Sequence, residues 1–150
     1  LGALIVFLRP LGLRLYYYRL NNTQSATTRY DVKQGTEATQ VLCEIKNDLV
    51  IRTHSVLAAA DQHIWLNEFW TIRQILGTGT RDKNAKLLRN CKAYVRRNFW
   101  PVVVDEQRFS KKIKYLVTGL FPITMARLKN LQFDASLRKD LRKHNIAHEN

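Results

Sequence analysis

From residue 36 onward, apolar residues recur at intervals of three and four, the spacing of one face of an α-helix. Thr36, just after Gly35, is predicted to cap a helix through Val41, Leu42, Ile45, Leu49, Val56 and Leu57, either long or broken near Thr53. Ile64, Trp65, Leu66, Phe69, Ile72, Ile75 and Leu76 mark a second helical stretch, which Gly77-Thr78-Gly79 ends. Thr80 or Asp82 is the expected cap of a third. Its buried face is Ala85, Leu88, Cys91, Tyr94 and Val95, and its open face Lys83, Lys86, Arg89, Lys92 and Arg96. Phe99-Trp100-Pro101 stops it. Asp105 and Glu106 favour a new helix start through the macrodipole, and that helix carries Phe109, Ile113, Leu116, Val117 and Leu120. Pro122 restarts the chain as a helix with Met125, Leu128 and Leu131. Asp134 is the expected cap of a last charged segment around Leu137 and Leu141.

Before residue 36 the pattern differs. Leu1–Leu8 is an apolar run far short of the ~20 residues that cross a bilayer. It reads as the end of a buried helix or strand continuing from a preceding domain. Arg9-Pro10-Leu11-Gly12 is a turn, Leu13–Leu20 (LRLYYYRL) a short aromatic strand, and Asn21–Thr28 a polar loop. The expected fold is mainly α: one short β-strand or hairpin near the N-terminus, then five or six helices. The expected division is residues 1–35, strand and polar loop, and 36–150, a basic helical region.

Charge changes the picture more than composition does. Lys and Arg number 25 against 12 Asp and Glu, a net charge of +13. Residues 1–75 carry 8 basic and 6 acidic side chains (+2), whereas 76–150 carry 17 and 6 (+11). A field so one-sided suits an anionic partner. Two cysteines, Cys43 and Cys91, are too few for a disulfide scaffold and read as buried thiols of a reducing compartment.

Self-sufficient catalytic chemistry is not legible. The chain has no Cys-x-x-Cys, nucleophile elbow, Walker-type loop or Asp-x-Asp. His144 and His148 share a helix face but lack a third ligand, so no metal site is assigned. Asp105-Glu106 is the only adjacent acidic pair, at a helix start, and no catalytic residue is assigned. Two anionic partners fit the basic half. Arg96, Arg97, Arg108, Lys111, Lys112 and Lys114, interleaved with aromatics, suit nucleic acid less well, because the aromatics fall at core spacing. Lys111, Lys112, Lys114, Arg127 and Lys129, mixed with apolar residues over 111–129, form a basic amphipathic pattern suited to a membrane surface. A core-facing helix with a lysine-rich solvent side would show the same periodicity.

One stretch goes beyond periodicity. Leu15, Tyr16, Tyr18 and Arg19, followed by Asn22, Ser25 and Thr27 in a polar loop, resemble a segment of bacterial family 2 glycosyltransferases, which make surface polysaccharides. The match covers about sixteen residues well. The basic helical remainder resembles the family's C-terminal region in style. The resemblance implies the C-terminal part of an α/β nucleotide-sugar transferase, inactive alone. Its catalytic carboxylates and divalent cation (Mg or Mn) are expected outside this chain. It implies transfer of a sugar from a nucleotide diphosphate to a hydroxyl of a saccharide or lipid-linked acceptor. It also implies a place on the cytoplasmic face of the cell membrane, peripherally bound. Arg19 is the expected contact to the diphosphate, and Tyr18 and Ser25 line the acceptor cleft. The alternative is a non-catalytic basic helical module that binds nucleic acid or an acidic protein.

Overall fold

The computed structural model describes residues 30–148, with side chains through residue 139. Six helices follow in order: α1 (Val32–Asp48), α2 (His54–Gly77), α3 (Ala85–Arg97), α4 (Phe99–Asp105), α5 (Phe109–Leu120) and α6 (Pro122–His148). This corrects the expected mixed fold: the described residues are all-helical, with no strand and no sheet among them. The segment expected as a strand, Leu13–Leu20, lies outside the described residues.

The centre is α2, which packs against α1, α3, α4 and α6. Its apolar positions supply Trp65, Ile72 and Ile75 to a core completed by Leu88, Cys91 and Val95 of α3, Val102 of α4 and Ala126 of α6. Trp65 is 1% exposed, and its indole N–H donates to the Val95 carbonyl at 2.9 Å. That carbonyl belongs to the last turn of α3, where no later helical amide is available. The core thus supplies the α3 C-terminus with a donor. A T-shaped contact to Tyr115, centroids 5.5 Å apart, fixes the other side of the indole.

Several boundaries differ from the sequence reading for local reasons. Asp31, not Thr36, caps α1, its carboxylate accepting the amides of Lys33 (2.9 Å) and Gln34 (3.5 Å). Gly35 is no break: it is buried inside α1, where a Cβ would lie 2.5 Å from Thr71 Oγ1. Its missing side chain lets α1 approach α2, and Asn67 seals the seam by donating to the Gly35 carbonyl (2.9 Å) and Thr39 Oγ1 (2.8 Å). Phe99-Trp100-Pro101 ends α3 but itself opens α4, because Pro101 falls in the first turn, where an amide has no helical partner. Asp134 does not cap a new segment. It sits inside the continuous α6 and accepts the Tyr30 hydroxyl at 3.0 Å.

That tyrosine gives a pH signature. Its ring lies against Gly77, and burial, reinforced by the Asp134 carboxylate, pushes its phenol from 10.0 up to about 12. The folded state therefore favours the neutral phenol. Its contribution is complete below pH 10, the unfolded value, and is lost as pH rises through about 12. Tyr30→Phe is expected to melt lower at neutral pH, having lost the Asp134 bond, and to lose less further stability between pH 10 and 12 than the wild type. Thermal melts across that window check this.

Candidate functional site

The basic residues are the one chemically distinctive population, and the helices sort them by phase. On α3, Leu88, Cys91 and Val95 face the core. Lys86, Arg89, Lys92, Arg96 and Arg97 are exposed on the opposite side, with Lys83 and Arg81 just before the helix. The ion pairs among the described residues are Lys33–Glu37 (3.5 Å), Lys46–Asp61 and Lys111–Glu106 (3.7 Å). None of the α3 cations takes part in these.

The five residues singled out for a membrane surface do not converge on one face. A helix turns about 100° per residue, which puts Lys112 and Lys114 about 160° apart on α5 and Arg127 and Lys129 about 160° apart on α6. Lys114 and Arg127 are exposed, Lys112 and Lys129 are half-buried, and Lys129 donates to Gln132 at 3.2 Å. Lys111 is held by Glu106. That carboxyl is lowered below its usual value, first by the Arg108 amide, which donates to it at 3.1 Å, and then by Lys111. Tyr18, Arg19 and Ser25 lie outside the described residues.

Sequence periodicity places the apolar stripe of α5 but not what it faces. Thr118 and Gly119 are buried, and a Cβ on Gly119 would collide with the Phe99 ring and Cβ. The small-residue side of α5 is therefore the packed side. Phe109 is left 76% exposed, Ile113 47% and Leu120 43%, and the C-cap residue Phe121 is 59% exposed. Arg96 of α3 reaches across to the Leu120 carbonyl at 3.3 Å, joining the basic face to the end of that stripe. The contact was invisible in the sequence, where the two residues are far apart.

Acidic and thiol groups form no comparable centre. Among the described residues no three His, Cys, Asp or Glu side chains lie close enough to hold a metal ion. Cys43 is exposed, which corrects the reading of two buried thiols, while Cys91 is buried in the core. Burial, then the Glu68 carboxylate, pushes the Cys91 thiol well above its usual range. A thiol reagent is expected to label one cysteine per native chain, Cys43, and two in denaturant. Absorbance of the released thiolate counts them.

No described helix is long and apolar enough to cross a membrane. No protein-family model matches the chain, and neither a curated protein nor a solved structure does. The described residues form an all-helical bundle with a basic face beside an outward apolar stripe.

Proposed function

We propose that the chain is the helical region of a nucleotide-sugar glycosyltransferase that works peripherally at the cytoplasmic face of a cell membrane. The observation that carries this reading is the run Leu15-Tyr16-Tyr17-Tyr18-Arg19 followed by Asn22, Ser25 and Thr27, ahead of a basic helical region. Arg19 is assigned to the donor diphosphate as a fixed cation, and the hydroxyls of Tyr18 and Ser25 to the acceptor cleft. No catalytic residue is assigned within this chain, and the catalytic carboxylates and the divalent ion belong to the longer enzyme. The basic face of α3 supports the membrane part, since each cation close to an anionic leaflet contributes about 1 kcal/mol.

The test is the reading frame upstream of Leu1. A nucleotide-sugar domain with an Asp-x-Asp, joined in frame, supports the transferase. A start codon at or just before Leu1 overturns it. The second reading then takes its place: a non-catalytic module whose α3 face docks on nucleic acid or an acidic protein. That none of the α3 cations joins an ion pair among the described residues supports that second reading.

A further inference from the structure

The outward stripe of α5 has a chemistry of its own. Phe109, Ile113 and Leu120 repeat at four- and seven-residue intervals, so they align along one side of the helix, and Phe121, also exposed, follows as the C-cap residue. From Phe109 to Leu120 the stripe spans roughly 17 Å at 1.5 Å per residue, enough to lie along a surface but not to cross a bilayer.

Cations frame it. Arg108 precedes Phe109 at the N-terminal end, and Arg96 is bonded to the Leu120 carbonyl at the other. Lys112 and Lys114 leave the helix to either side of the stripe. Among the described residues, Lys111 is the α5 cation paired with a carboxylate, that of Glu106. Trp100, 60% exposed, stands beside Phe99, their rings 6.1 Å apart, and Phe99 packs on Gly119 near the same end of α5. An exposed indole, two phenyl rings and aliphatic side chains bracketed by snorkelling cations are the composition of a helix lying in the headgroup zone.

We infer that α5 and Phe121 form a membrane-insertion edge: Phe109, Ile113, Leu120 and Phe121 enter the acyl boundary of an anionic leaflet while Arg96, Arg108, Lys112 and Lys114 stay among the lipid phosphates. The inference deepens the peripheral-membrane reading and rests on it, but not on the transferase assignment. Charge complementarity argues for an anionic leaflet and against a second copy of this chain, which would bring cations against cations. The edge adds a salt-resistant component that a purely electrostatic contact lacks.

The experiment is sedimentation of the folded chain with phosphatidylcholine vesicles, with and without phosphatidylglycerol, at low and at 1 M salt, alongside thermal melts. The wild type is expected to bind anionic vesicles at low salt and to retain part of that binding at 1 M salt. Phe109→Gln combined with Ile113→Gln is expected to lower the partition coefficient roughly tenfold or more, the worth of withdrawing two large apolar side chains from the acyl boundary. Its melting temperature should be unchanged, because both side chains are exposed and Gln suits a helix. Val50→Gln, at an apolar residue 97% exposed in the α1–α2 connection, is expected to change nothing. Unchanged vesicle binding by the double variant overturns the insertion edge and leaves the peripheral reading standing. So does a lowered melting temperature with unchanged binding, which marks the stripe as a protein-packing face. A wild type that ignores anionic vesicles, or prefers duplex nucleic acid to them, overturns both.

Discussion

Trp65→Ala is expected to cost about 3–5 kcal/mol, a large part of the roughly 5–15 kcal/mol that holds a domain folded. Two losses combine. The indole is the largest fully buried side chain, so its removal leaves a void bounded by α2 and α3 that the surrounding helices close only in part. Its N–H is also the donor to the Val95 carbonyl, and that carbonyl sits in a closed interior where water cannot replace it. Trp65→Phe separates the two: it keeps most of the bulk, loses the donor, and should cost about 1–3 kcal/mol. Urea unfolding measures both, with the midpoint falling and the slope unchanged. If Trp65→Phe proves as stable as the wild type, the indole has no role as a helix cap from within the core.

Gly119→Val is the second large effect. Ordinarily, replacing a helical glycine gains about 1 kcal/mol of helix propensity at most. Here the new Cβ meets the Cβ as well as the ring of Phe99, and a Cβ cannot swing aside by changing rotamer. Either α4 or α5 must move, at about 1–3 kcal/mol for the overpacking. Gly119→Ala should show the same sign at smaller size. Adding Phe99→Ala to Gly119→Val should give less than the sum of the single effects, because the ring contact is then relieved once for both. Simple additivity in denaturant melts would mean that Gly119 and Phe99 do not share a contact.

The same glycine shows what a sequence conceals. The faces of α2 and α3 were legible: Ile64, Trp65, Ile72, Ile75, Leu88, Cys91 and Val95 stand at helical spacing and are buried. So was the restart at Pro122, whereas the choice between one long helix and a break near Thr53 was left open, and the chain breaks there. On α5 the period was equally clear, yet Phe109 and Ile113 point outward. Periodicity identifies a stripe but not its direction, and the inward choice was decided by Thr118 and Gly119, small residues that let helices approach closely. Gly35 was misread for a related reason. A glycine signals a chain break and a close helix contact with the same letter. The five basic residues proposed from 111–129 were chosen by nearness along the chain, whereas helical phase disperses them. The α3 face was visible as an open side, but its junction with Leu120 depends on a tertiary contact. The resemblance at Tyr18, Arg19 and Ser25 rests on residues outside those described.

Helix α1 is fastened unequally along its length. Its N-terminal end is tied by Asp31 N–H to Gln74 Oε1 at 2.7 Å, by Tyr30 to Asp134, and by the Gly35–Thr71 approach. Its C-terminal half presents Val41 and Ile45 to solvent, and its tie to α2 there is the partly exposed pair Lys46–Asp61. Among the described residues, α2 is the helix that α1 packs against. The C-terminal turns of α1 therefore open without disturbing the core, as a foldon of low local stability. Their amide protons should exchange with solvent well ahead of those around Ile72 and Val95, whose exchange requires the whole bundle to come apart.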